Sequence, residues 1–297
     1  MNNLLKVVSV ICAFSAMISR GADEEVSIRI IPNISYLSDD RKEKMDLYLP
    51  ESIPSGESLP AILIVHGGGW HGGGKAAARE KNIGTNLAKA GFICASIDYV
   101  LAEKKTLFTD NLRQVWPNNL QDCMTGVRFL RANAEKYQIN PERIGAIGGS
   151  AGGHLVAMLG VAGDSKSLAA DSPYPDVSSE IQAVVPLYGI HDLIALAEKR
   201  GLLDQSSLTD KELCRKASPV TYLSKDDPPF LILHGTADPL VPVQQSELLH
   251  KAAGNAGVES TLHIIQGAKH SFHLEPKQED LRPMVIEFFN RHLKPKS

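Results

Sequence analysis

Six runs along this chain are apolar almost without a break: LPAILIVHG, FICASIDYV, ERIGAIGG, IQAVVPLYG, PPFLILHG and STLHIIQG. A strand buried on both faces reads this way, because neither side of its pleat meets water. Segments of helical period separate the runs, at 76–90, 118–137, 151–161, 243–256 and 278–292. Strand and helix in alternation predict an α/β fold, a mostly parallel central sheet with helices on both faces. Two earlier runs, VSIRIIPNISY and EKMDLYLP, alternate apolar with polar residues. They are expected to pair antiparallel at one edge, bringing the sheet to about eight strands.

No repeat, low-complexity linker or shift of composition divides residues 23–297, so a single domain is expected there. Two stretches break the plain alternation, Leu101 to Trp116 and Ile190 to Ser224. Long connections beside strand ends build the binding cleft in such sheets, because ligands lie at the carboxyl ends of the strands. Residues 190–224 are therefore expected to be a cleft-covering insertion.

Before the first strand, Lys6 is followed by an apolar stretch from Val7 to Ile18 and by the small residues Ser19, Gly21 and Ala22. That order predicts a signal peptide over 1–22 and a secreted or periplasmic destination. The apolar stretch is too short to span a bilayer comfortably, so no integral membrane span is expected after processing. The formal charge is −3 and no Lys/Arg block stands out, which argues against nucleic acid as a partner. Cys94, Cys123 and Cys214 follow the expected leader, an odd count that rules out a disulfide scaffold. Cys94 in an apolar strand and Cys123 in a helical segment read as small buried hydrophobes. No CxxC pair or metal-spaced cluster of His and Cys occurs, so no metal is expected.

Chemistry enters with IGAIGGSAGGHL, where Gly148-Gly149-Ser150-Ala151-Gly152 matches G-x-S-x-G between a predicted strand and a predicted helix. A strand that turns at once into a helix strains its central residue and crowds the positions two before and two after, which glycine relieves. The Ser150 hydroxyl is left exposed near a helix N-terminus, where partial positive charge favours a developing anion. A phosphate loop would require GK[ST], and Ala151-Gly152 stands there instead.

A second stretch, HGGGW from His66 to Trp70, follows the strand LPAILIV. Its consecutive glycines let backbone N–H groups face a cleft, and with the Ala151 amide they form an oxyanion hole. Gly68 and Gly69 are the expected donors, with the Trp70 amide a possible third. The Trp70 side chain either lines the substrate pocket or packs inside, and His66 is expected to brace the loop. Serine needs a base and an orienting acid, in this fold in the order Ser, Asp/Glu, His. TADPLVP places Asp238 just beyond one strand and GAKHSF places His270 just beyond the next. His270 would take the Ser150 proton while Asp238 holds its tautomer. Asp192 in GIHDL is the rival acid; His154, His263 and His273 are weaker candidates for the base.

These residues give the chain a resemblance to the α/β-hydrolase superfamily, and more narrowly to secreted carboxylesterases that include bifunctional feruloyl and acetyl xylan esterases. HGGGW, IDY, RIGAIGGSAGGHL, PPFLILHGTADPLVP and GAKHSF carry it. The resemblance implies a triad of Ser150, Asp238 and His270, no cofactor, and hydrolysis of short, acetyl esters on plant polysaccharide such as xylan through an acyl-enzyme. Many relatives place Arg after the Asp-Tyr pair, where this chain has Val100. Relatives of the hormone-sensitive-lipase type carry a helical cap, which is not expected here because strands lead almost directly into HGGGW. An open cleft suits esters on bulky polar carriers. Two other readings stand beside this one: an arylformamidase-like amide hydrolase, which shares an HGG-x-W loop and the triad order, and a non-catalytic binding protein on the same fold.

Overall fold

The computed structural model describes residues 27–103, 107–162, 165, 168, 173–202 and 208–294. The expected signal peptide at 1–22 lies outside the described residues. Two strands open the fold, β1 (Ile28–Ile34) and β2 (Met45–Pro50), followed by β3 (Leu59–Val65), helix α1 (Ala78–Lys89) and β4 (Ile93–Ile97). Then come α2 (Phe108–Val115), α3 (Asn118–Ala132), α4 (Ala134–Tyr137), β5 (Ile139–Gly149), α5 (Ala151–Ala162) and β6 (Ala183–Leu187). The chain continues through α6 (Leu193–Lys199), α7 (Leu208–Lys216), β7 (Phe230–Gly235), α8 (Gln244–Ala256), β8 (Ser260–Ile265) and α9 (Arg282–Leu293).

The strands form one eight-stranded sheet in the order β1-β2-β4-β3-β5-β6-β7-β8. Among the described residues only β1–β2 and β2–β4 are antiparallel, and every pairing from β4 to β8 is parallel. The pleat of β3 shows why its run is apolar throughout. Ala61, Leu63 and Val65 enter the core that α3 and α5 cover with residues such as Leu120 and Leu155, while Ile62 and Ile64 enter the core on the other face with Ile83 and Leu87 of α1. Alternate side chains enter different cores, so a polar residue on either side of this strand would be buried without a partner.

Beyond shifts of one or two residues at helix ends, the helices depart from the sequence expectation in these places. The segment 118–137 is two helices, broken at Asn133, where the backbone leaves helical values (φ −104°, ψ 23°) and the side chain joins its own amide on the Phe129 carbonyl (2.9 and 3.0 Å). The last helix starts at Arg282 rather than 278, with Pro283 in its first turn, a position where the missing N–H costs nothing. The stretch 101–116 contains a short helix, α2, that its polar composition hid. Its buried side, Asn111, Leu112 and Val115, mixes an amide with aliphatics. Cys94, Cys123 and Cys214 are all buried free thiols. Among the described residues no helix is long and apolar enough to cross a membrane.

Candidate active site

Every loop named for chemistry leaves the carboxyl end of a parallel strand: HGGGW after β3, Ser150 after β5, Asp238 after β7 and His270 after β8. The turn from β5 into α5 holds Ser150 at φ +58°, a left-handed conformation that costs a non-glycine residue on the order of 1–3 kcal/mol. Its amide donates to the Leu187 carbonyl (2.9 Å), which ties the strained turn to β6. Gly152 makes the turn possible, because a Cβ there would lie 2.0 Å from the Val65 carbonyl oxygen.

The structure brings the three distant side chains together. His270 Nε2 lies 2.9 Å from Ser150 Oγ, and His270 Nδ1 lies 2.6 Å from Asp238 Oδ2. The network assigns a proton to Nδ1, donated to the carboxylate, and leaves Nε2 to accept from the serine hydroxyl. Asp238 is held from several directions. Its Oδ1 accepts from the amides of Leu240 (2.8 Å) and Val241 (2.9 Å), and His234 Nε2 approaches Oδ2 at 3.3 Å. Burial alone would raise the Asp238 pKa. Hydrogen bonds from His234, His270 and the Val241 amide outweigh it and hold the carboxyl well below the ordinary range, so it stays ionised beside the imidazole.

A second layer fixes the ring of His270. Tyr188, the residue after β6, meets it edge to face at 4.7 Å, and its hydroxyl donates to the Phe272 carbonyl (2.7 Å). Arg79 Nη1 donates to the same hydroxyl (3.2 Å), and Arg79 is itself paired through Nε and Nη2 with Glu80 Oε1. Burial pushes the Tyr188 phenol up to about 12, with Arg79 opposing, so it remains a neutral donor.

Across from the triad, the glycine loop curls back on itself. The amides of His71 and Gly72 both donate to the Gly68 carbonyl, at 3.2 and 3.1 Å. That closure requires Gly68 at φ +122°, where a Cβ would sit 2.1 Å from the Gly72 carbonyl oxygen. Among the described residues, no main-chain acceptor takes the amides of Gly68, Gly69 or Ala151. These three residues line one cleft of about 760 Å³ with Ser150 and His270, the arrangement an oxyanion hole needs. Asn111 of α2 donates from Nδ2 to the Gly69 carbonyl (3.1 Å) and so pins the loop from its far side.

The remaining candidates fall elsewhere. Trp70 lines the cleft floor, but its indole is fully buried and edge-on to His154 at 5.1 Å. His66 stacks on Tyr99 (4.3 Å), and its Nδ1 lies 2.7 Å from the Gly67 carbonyl. His154 is buried with Nε2 on the Ala217 carbonyl (2.6 Å), and burial pushes it down to about 4. Asp192 caps α6 by accepting from the Ala195 amide (2.9 Å). His263 pairs with Glu279 at the surface, and His273 accepts from the Glu275 amide. From the long insertion, Ile190, Arg200 and Leu202 line the cleft. Arg79, Asn111, Tyr188 and His234 are missed by motif reading, since none belongs to a spacing pattern with the triad. The one legible signal was His234, two residues before the TAD turn in LILHGTAD.

The family model described as BD-FAE matches residues 45–253. A probable carboxylic ester hydrolase of Mycobacterium tuberculosis, LipM, is 29% identical over 224 residues, covering 72% of this chain and 49% of its own length. The chain thus spans about half the length of the curated relatives it matches. Among solved structures, a truncated carbohydrate esterase from gut microbiota superposes with a TM-score of 0.75 at 28% identity, covering 91% of this chain and 98% of that one. An acetyl ester-xyloside bifunctional hydrolase from Caldicellulosiruptor lactoaceticus gives 0.68 at 26% identity, with 84% and 88% covered.

Proposed function

The chain belongs to the BD-FAE family, and on that footing we propose that it is a serine carboxylesterase that removes short acyl groups, acetyl above all, from carbohydrate such as xylan. The observation that carries the reading is the His270 ring, within hydrogen-bond reach of Ser150 Oγ on one side and Asp238 on the other. Likeness to a carbohydrate esterase and to an acetyl ester-xyloside hydrolase supports the substrate class. The leader-like sequence at 1–22 supports export, to the periplasm or beyond, where polysaccharide is met.

In this reading Ser150 Oγ attacks the ester carbonyl carbon as its proton passes to His270 Nε2. The carbonyl oxygen becomes an oxyanion held by the amides of Gly68, Gly69 and Ala151. Collapse of the tetrahedral species breaks the bond to the alcohol oxygen, which takes the proton from His270. Water then attacks the acyl-serine, again giving its proton to His270, and the second collapse returns that proton to Ser150 and releases the acid. Asp238, kept ionised, stabilises the imidazolium in both halves. The groups present complete the cycle without any added electrophile.

The test is a panel of acetyl, butyryl and feruloyl esters on aryl and xylan carriers, run beside labelling with a serine-directed organophosphate. Release of acetate from acetylated xylan and a label on Ser150 are expected. A folded protein that takes no label and cleaves no ester rules out the esterase reading, and cleavage of aryl acetates without any action on xylan rules out the carrier.

A further inference from the structure

The chain as a whole is acidic, with 34 Asp and Glu against 31 Lys and Arg. Its cleft is not. Among the described residues that line it there is no carboxylate, while two arginines, Arg79 and Arg200, do. The two differ in kind. Arg79 is fastened to the buried Glu80, so its charge is matched within the wall. Arg200 has no carboxylate partner among the described residues. Its guanidinium lies over the Phe108 ring, 5.4 Å from the centroid, and donates through Nη2 to the Leu240 carbonyl. Ring and carbonyl hold the group in place, and most of its five N–H donors remain unspent.

Its position in the cleft follows from the Leu240 backbone. Leu240 receives Arg200 on its carbonyl and gives its amide to Asp238, so Arg200 stands on the side of the cleft from which Asp238 orients His270. In ester hydrolysis the alcohol oxygen must lie within reach of His270, which protonates it, so the alcohol portion extends on this side. Leu107 and Leu240, both 56% exposed, are two of the few large hydrophobic residues left open on the surface, and both line the same cleft. Apolar walls flanking an unmatched, prepositioned guanidinium suit a flat body, an aromatic ring or the C–H face of a sugar, that bears a negative charge.

We propose that Arg200 makes this cleft selective for esters whose alcohol portion carries an anionic group, a carboxylate on a sugar or aromatic ring. The inference rests on the esterase reading and narrows its substrate to acidic carriers.

The test compares 4-acetoxybenzoate with 4-acetoxybenzamide, near-isosteric aryl acetates that differ by one charge, each kcat/KM divided by the ester's own hydroxide rate constant. Wild-type protein is expected to favour the carboxylate about five- to tenfold, between the value of a charged hydrogen bond and that of an exposed ion pair. The ratio falls toward one in Arg200→Gln and is partly kept in Arg200→Lys. In the wild type it shrinks as salt rises from about 0.02 to about 0.5 M, a measurement that needs no variant to fold. Equal values for the two esters, or a preference that Arg200→Gln and salt leave untouched, overturns the proposal and leaves ester hydrolysis standing. Turnover of neither ester overturns both.

Discussion

His234 and His270 converge on a single oxygen: His270 Nδ1 lies 2.6 Å and His234 Nε2 3.3 Å from Asp238 Oδ2. The His234 ring is itself fixed, with Nδ1 on Ser246 Oγ (2.7 Å) and Nε2 also facing the Val241 carbonyl (3.0 Å). Two donors on one carboxylate oxygen set its direction as well as its charge. Replacing His234 by Phe removes one of them without leaving a hole. The expected result is a fall in kcat of up to about 10²-fold with little change in KM, because misplacing the acid misaims the base. His234→Gln, which retains a donor, should recover part of the loss. Equal kinetics in both variants would show that His234 only packs.

Ser150→Ala should cut turnover of an aryl acetate by on the order of 10⁴–10⁶ and abolish organophosphate labelling. The melting temperature should change little, since alanine keeps the Cβ and with it the strain at φ +58°. Steady-state assay and mass spectrometry of the labelled protein check both.

Asn111→Ala withdraws the donor from the Gly69 carbonyl and loosens the loop that carries two of the three amides proposed for the oxyanion hole. The expected fall in kcat is about tenfold, less than the 10²–10³ of deleting an oxyanion donor outright. KM should change little. Single-turnover measurement of acylation reads the step concerned, and an unaltered acylation rate would rule out the bracing role.

Gly152→Ala would drive a Cβ to 2.0 Å from the Val65 carbonyl oxygen, a backbone atom that cannot swing away from a Cβ fixed to the turn. A loss of about 3 kcal/mol or more is expected, or failure to fold. Denaturant titration beside Gly254→Ala, where a Cβ meets nothing within 4 Å, isolates the clash from the general effect of adding a methyl group.

Acid should weaken the fold through its buried histidines. Burial pushes His154 down to about 4, against the bond to Ala217, and pushes His191 well below 6.5, with neighbouring His154 and His234 adding to the effect. Both bind protons more readily in the unfolded chain. Their neutral forms therefore leave stability intact above about pH 6.5, and it declines as pH falls toward 4, by about 1.4 kcal/mol per pH unit for each histidine. Neither ring nitrogen of His191 has a partner among the described residues, so His191→Leu should fold and flatten the slope by one proton. Unfolding titrations at about pH 6.5, 5.5 and 4.5 measure it. A slope equal to that of the wild type would remove His191 from the account.

What the sequence disclosed was whatever a short window can hold. The run from Leu59 to Val65 is apolar at every position because both of its faces are covered, and that pattern alone predicts a buried strand. The Ser150 turn was legible because crowding restricts the residues around it, and Asp238 and His270 because strand order fixes which loops meet. The sheet and the meeting of these three loops were therefore in view at the start. Tyr188, Arg79 and Asn111 were not. Tyr188 reaches Arg79 across 109 residues and Asn111 reaches Gly69 across 42, contacts that no periodicity encodes. Helix α2 escaped for a local reason as well: Leu107 precedes it without any side-chain cap, so no start signal marks it.

Helix α2 bears Phe108, which seats Arg200, and one turn later Asn111, which holds the Gly69 peptide. Selectivity at the entrance and speed at the bond being cut are thereby mounted on the same eight residues. A shift of this helix retunes both together, so variants chosen for a new alcohol will carry an altered turnover with them unless a compensating change restores the grip on Gly69.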